Sequence, residues 1–291
     1  MSAFLRLLIP LFLVAGCAGK AQDSTGVGNP GLSQTEQALY DDGDESRKAS
    51  EIASALMSVP HLALTEPKQV DTPDGAAAVG EFGRLAFTPK ECVTTTRAAN
   101  VVTFTFTNCG YKLGYSKVNG ALEATYSPGP SAGSATIKVV SKKPFSLETF
   151  NKDLSPITID LSLTVDAKVQ FLATGKRVDW NGTYTATGPS FTLTHEPAFT
   201  SIRTAPTADA ETCTTLDGRS ITTFPARSVS TTVTAYRRCG PSTACPEPGG
   251  KVSFDGGGGR TITIEFLGGR NTRVTLPDRT FETDRLLKCS G

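Results

Sequence analysis

The stretch Ile157-Thr-Ile-Asp-Leu-Ser-Leu-Thr-Val165 alternates apolar and polar side chains without a break. A period of two puts every second side chain on one face, so this segment is a half-buried strand and cannot sit still as a helix. The same alternation recurs in Val101-Val-Thr-Phe-Thr-Phe-Thr107, Ala135-Thr-Ile-Lys-Val139, Phe191-Thr-Leu-Thr194, Thr261-Ile-Thr-Ile-Glu-Phe266 and Thr272-Arg-Val-Thr-Leu276. Turn signals fall between them at Asn119-Gly120, Asn181-Gly182, Asp217-Gly218, Asp255-Gly256 and Gly268-Gly269. The spacing predicts about fifteen short strands with tight connections. No strand–helix alternation is present, so a parallel α/β sheet is disfavoured. The expected fold is mainly β, an antiparallel meander forming a large twisted sheet, a sandwich or an open barrel, with one face wet.

Only one helix is expected, over residues 45–60. Asp44 caps it, Ala49, Ile52, Ala53, Leu56 and Val59 give the apolar stripe, and Pro60 stops it. The β body is expected over 78–291. The Pro-containing stretch 197–211 either divides it into two units or is a loop within one sheet. Val118-Asn-Gly-Ala-Leu-Glu-Ala-Thr-Tyr126 is echoed by Trp180-Asn-Gly-Thr-Tyr-Thr-Ala-Thr-Gly188, as a duplicated hairpin or by coincidence. Two copies are too few for a solenoid.

The N-terminus has another character. Arg6 precedes an apolar run, Leu7 to Ala15, broken only by Pro10. This run is too short to span a bilayer, which takes about 20 apolar residues. A charged start, a short apolar core and small residues at its end make a secretory signal. Val14-Ala15-Gly16-Cys17 resembles the lipobox of bacterial lipoproteins. The resemblance covers the first 17 residues and implies a signal peptide over 1–16 and a diacylglyceryl group on the Cys17 thiol. It also implies, usually, a third acyl chain on the new amino terminus. Two or more chains anchor a protein stably where one does not. Ala18, rather than Asp, after the cysteine points to the outer membrane. Residues 17–44, rich in Gly, Ser, Asp and Gln, are expected to be a flexible tether. Ser24-Thr-Gly-Val-Gly-Asn-Pro30 is similar to the tethers of uncharacterised lipoproteins.

Beyond Cys17, six cysteines remain: Cys92, Cys109, Cys213, Cys239, Cys245 and Cys289. An even number in an exported chain predicts three disulfides, and six cysteines allow 15 pairings. Cys92–Cys109 is expected because no other cysteine lies near either. The other four pair as Cys213–Cys239 with Cys245–Cys289, or as Cys239–Cys245 with Cys213–Cys289. No C-x2-C spacing is present, which makes zinc improbable.

Removing Arg6 with the signal leaves 28 Lys plus Arg against 28 Asp plus Glu. A neutral body argues against nucleic acid as a partner. The acidic excess lies in residues 18–75 and reads as solvation of the tether.

Few residues suggest chemistry. Gly129-Pro-Ser131-Ala-Gly133 matches the G-x-S-x-G nucleophile elbow, but the elbow needs a helix after the serine and a strand follows here. His195 is the only histidine within the strand region; with Ser131 and Asp160 or Asp166 it would complete a triad. Gly256 to Gly259 lacks the lysine and helix of a phosphate loop and reads as a hairpin tip. His61 and His195 are solitary, and no metal or cofactor motif is present. Tyr111, Tyr115, Tyr126, Trp180 and Tyr184 gather around the two echoing segments. They offer either a face that binds glycan or an envelope protein, or cross-strand core pairs. The expected function is a membrane-anchored, non-enzymatic binding or structural component of the envelope. The alternatives are a hydrolase of glycan or ester, and a lipid or lipoprotein carrier with an apolar cavity between sheet and helix.

Overall fold

A computed structural model describes residues 32–62, 87–111, 116–150, 155–204, 212–240, 244–284, 286–287 and 289. It contains one α-helix among these residues, α1 (Gln34–Leu62), a single 3-10 turn (Lys90–Cys92) and thirteen strands. These are β1 (Val93–Ala98), β2 (Val101–Tyr111), β3 (Ser116–Pro128), β4 (Ser134–Phe150), β5 (Pro156–Leu172), β6 (Gly175–Gly188) and β7 (Phe191–Thr204). They continue with β8 (Cys213–Phe224), β9 (Arg227–Cys239), β10 (Lys251–Asp255), β11 (Thr261–Gly268), β12 (Asn271–Thr275) and β13 (Thr280–Thr283). All thirteen form one antiparallel sheet in sequence order, each strand bonded to the next, with β1 and β13 as open edges.

The alternation in the sequence decides which face is inside. On β5 the residues Ile159, Leu161, Leu163, Val165, Ala167 and Val169 are buried, and every residue between them is exposed. The rule carries across the sheet, so one face is apolar core and the other is polar and wet. The core face is buried on every strand from β1 to β12. Such burial is the main favourable contribution to folding, roughly 25 cal/mol per Å² of apolar surface.

The helix starts eleven residues before the expected position and ends two past Pro60. Its true start is a capping box. Glu36 N donates to Ser33 Oγ (3.4 Å), and Ser33 N donates back to Glu36 Oε2 (2.6 Å). Asp44 is not a cap; it sits mid-helix, paired with Arg47 at 2.7 Å. The tether expected to reach residue 44 therefore ends at the helix, and its residues 17–31 lie outside the described residues.

Thirteen strands replace the expected fifteen because three of the five turn signals lie inside strands. Asn119-Gly120, Asn181-Gly182 and Asp217-Gly218 fall within β3, β6 and β8. Gly120 (φ +116°) and Gly218 (φ +142°) sit where the register shifts. A Cβ there would lie 2.3 Å from Pro144 O and 2.3 Å from Ala198 O, so glycine admits the neighbouring backbone. A Cβ on Gly182 would likewise lie 2.2 Å from Thr164 O. The two echoing segments thus share interior strand glycines rather than hairpin turns. Asp255-Gly256 and Gly268-Gly269 do open turns.

The body is one sheet and not two units, because β7 and β8 pair from Thr194↔Thr223 to Arg203↔Thr214 across the expected division. Residues 78–86 and 205–211 lie outside the described residues. Three disulfides close the chain: Cys92–Cys109, Cys213–Cys239 and Cys245–Cys289. Cys213 and Cys239 face each other in the β8–β9 register. That selects the first of the two expected sets. In the chain-entropy picture each contributes about 3–4 kcal/mol.

Candidate functional site: a polar chain beneath the helix

Strand parity also directs a few polar groups into the core. His195 is in phase with Leu193 and Phe199 on β7, and Ser220 and Thr222 are in phase with Leu216 on β8. The register sets His195 opposite Thr222, and Ser220 opposite Thr231 of β9. Four polar side chains on three adjacent strands therefore form one island on an otherwise apolar face.

α1 lies over this island. Its sheet-facing side is Leu39, Gly43, Ser46, Ala49, Ala53 and Leu56, all buried. A Cβ on Gly43 would lie 2.6 Å from the Phe254 ring, so the helix backbone comes close to the sheet. The helix crosses the strands obliquely. Leu39 meets Gly256 after β10, Ser46 meets β8 and β9, and further contacts reach β5 and β4. Two ion pairs at solvent hold its first half: Arg279–Glu36 and Arg227–Asp42, each 2.6 Å.

Thr222 Oγ1 donates to Ser46 Oγ (2.7 Å), and Ser46 shares a second bond with Thr231 Oγ1 (3.0 Å). The single hydroxyl proton of Thr222 is committed to Ser46. His195 Nδ1, 2.8 Å from Thr222 Oγ1, must then donate, which assigns the proton to Nδ1 and leaves Nε2 as the basic nitrogen. Burial lowers the His195 pKa to about 4, so the ring is neutral at pH 7. Ser220 Oγ is fully buried and has no hydrogen-bond partner among the described residues.

The chain His195–Thr222–Ser46–Thr231 is not a nucleophile–base pair. The His195 ring is hydrogen-bonded to Thr222, and a ring with so low a pKa is a poor base near neutrality. What the arrangement can do is hold a neutral, hydrogen-bonding group against an apolar surface.

The residues singled out in the sequence fall elsewhere. Ser131 lies exposed in the β3–β4 turn, where its Oγ donates to Ser134 Oγ (3.1 Å). Ser134 faces Gln170 on β5, whereas His195 faces Tyr184, which faces Leu163. Those β5 positions are roughly 23 Å apart along the strand. Asp160 and Asp166 are exposed on the outer face, opposite to His195. The triad is therefore not assembled. Gly256 to Gly259 closes on itself: Arg260 Nη2 donates to Gly256 O (2.6 Å) and Gly257 N to Asp255 Oδ1 (2.8 Å). Among the described residues no three His, Cys, Asp or Glu side chains form a group able to hold a metal ion.

The aromatic face also resolves differently. Tyr126, Trp180 and Tyr184 are 3 %, 3 % and 1 % exposed, on the core side. Trp180 packs on Phe199 with ring centroids 5.5 Å apart. Burial raises the Tyr126 and Tyr184 phenol pKa values. Each is in phase with buried aliphatics of its strand, so these three are core rather than a docking face. Tyr111 ends β2, while Tyr115 and Cys17 lie outside the described residues. The outer surface is instead rich in hydroxyls: Ser162, Thr185, Thr194, Thr223 and Ser228 stand side by side on five consecutive strands.

Comparison with family models, with curated proteins and with solved structures finds no match for this chain.

Proposed function

We propose that this chain is a lipid-anchored component of a bacterial cell envelope with a non-enzymatic binding role. The lipobox at Val14–Cys17 supports the anchor. The observation that carries the binding role is the division of the sheet into two chemically distinct faces, a sealed apolar face and a broad hydroxyl-rich one. The row from Ser162 to Ser228 sets donors and acceptors at the strand spacing, about 4.8 Å. Hydroxyls so arranged suit the alternating donors and acceptors of a glycan or an envelope protein's polar surface. The leash is short. From Cys17 to Ser33 a fully extended chain reaches no more than roughly 55 Å, which keeps the sheet near the membrane.

Chemical cross-linking in intact cells of the native host tests this role. A reproducible protein or glycan adduct mapped to the outer face is the expected outcome. Adducts spread evenly over the molecule would count against it.

A second reading, a carrier of amphiphiles, is favoured by one observation: the polar island under α1 lies within an apolar face.

A further inference from the structure

We propose that the core face beneath α1 is a ligand site for a long-chain amphiphile with an uncharged hydroxyl- or ester-bearing head. This rests on the carrier reading and gives that reading a location and a ligand class.

The head-group subsite is the set Ser220, Thr222 and Thr231, oriented by His195. In the closed form Ser46 of α1 occupies it, satisfying Thr222 and Thr231 but leaving Ser220 Oγ, fully buried, without a partner among the described residues. A buried hydroxyl without a bond costs free energy, and native proteins leave few of them. A ligand head with a second oxygen placed to reach Ser220 satisfies all three hydroxyls, whereas Ser46 Oγ reaches only Thr222 and Thr231.

The helix is built to leave. Among the described side chains between Leu39 and Leu56, the fully buried ones are Gly43, Ser46, Ala49 and Ala53, while Tyr40 lies half-buried with its ring edge-on to Phe254. Lifting these exposes little apolar area compared with a leucine-rich stripe. The ion pairs Arg279–Glu36 and Arg227–Asp42 are half-exposed at the rim of the helix, and each holds it only weakly. Around the island on the same core face are Tyr184, opposite His195, Val229, opposite Thr222, and Leu193, with Phe254 against the helix at Gly43, an aromatic and aliphatic floor suited to an acyl chain. The subsite itself is neutral, His195 included, so a charged head would be buried there without compensation.

The chain has a single tryptophan, Trp180, buried on this face four residues along β6 from Tyr184, the neighbour of His195. Trp180 fluorescence in the full-length protein is therefore titrated with a monoacylglycerol brominated along its chain. Saturable one-to-one quenching is expected. Ser220→Ala should weaken it about fivefold, the worth of one neutral hydrogen bond. Arg227→Ala combined with Arg279→Ala, which removes two of the contacts that hold α1 down, should tighten it by about two- to fivefold. The site is overturned if neither the wild type nor the double variant shows saturable quenching. It is also overturned if Ser220→Ala binds unchanged, leaving a buried water as the occupant, or if a brominated alkyl phosphate binds as tightly. Membrane attachment through Cys17 is read separately by fractionation, so failure of the site and failure of the anchor are distinguishable.

Discussion

Thr222 on β8 donates a hydrogen bond to Ser46 on α1 across 2.7 Å, joining residues 176 positions apart. With Thr231 and His195 it fixes the helix in register on the sheet. Ser46→Ala leaves two buried hydroxyls short of a partner and should destabilise the fold by about 1–3 kcal/mol. Denaturant unfolding measures this. The double variant Ser46→Ala with Thr222→Val should cost less than the sum of the single changes, because the two groups act as one unit.

His195 gives the fold a pH dependence. Its folded pKa, about 4, lies below the ordinary value of 6.5. Between those values the unfolded chain binds a proton that the folded chain refuses. Stability is therefore complete above pH 6.5 and falls as pH drops toward 4, by up to about 3 kcal/mol. His195→Gln should flatten the unfolding midpoint over that window; an unchanged slope would remove His195 as its source.

Glu36 acts in a lower window. Hydrogen bonding to Arg279 is the largest cause that holds its carboxyl at about 2, below the usual 4.5. Its contribution is present above pH 4.5 and lost as pH falls toward 2. Arg279→Ala should shift the N-terminal turn of α1 toward faster amide exchange while leaving β5 protected.

Gly43 sets the depth at which the helix docks. Gly→Ala in a helix interior ordinarily stabilises by about 1 kcal/mol. At this position the new Cβ would lie 2.6 Å from the Phe254 ring, so Gly43→Ala should destabilise and Phe254→Leu should partly rescue it. Thermal unfolding of the three variants decides the sign.

Much of this fold was legible in the sequence. The Thr–apolar alternation located β2, β4, β5, β7, β11 and β12 and identified which residues face inward. Parity alone also places Trp180 with Val178 and Tyr184 in the core, where the cluster of aromatics had suggested a docking face. Ser33-Gln-Thr-Glu36 carried the true helix start as a capping box, overlooked because the apolar stripe begins later. The interior glycines misled for a physical reason. Asn-Gly and Asp-Gly serve tight turns and close strand approach equally, and only the partner strand distinguishes them. The polar island was not legible, because it depends on the register between β7, β8 and β9 and on where α1 lands.

The disulfides can be checked by non-reducing mass mapping of the purified protein. The expected result is three linked peptide pairs, Cys92–Cys109, Cys213–Cys239 and Cys245–Cys289, with no free thiol among the six.

The central claim is that a lipid on Cys17 holds this two-faced sheet at the envelope. The most direct test is metabolic labelling with a radioactive fatty acid in the native host, followed by membrane fractionation of wild type and Cys17→Ser. Label and membrane association in the wild type, with both lost in Cys17→Ser, is the predicted result. An unlabelled wild-type protein, or a Cys17→Ser variant still in the membrane fraction, would contradict it.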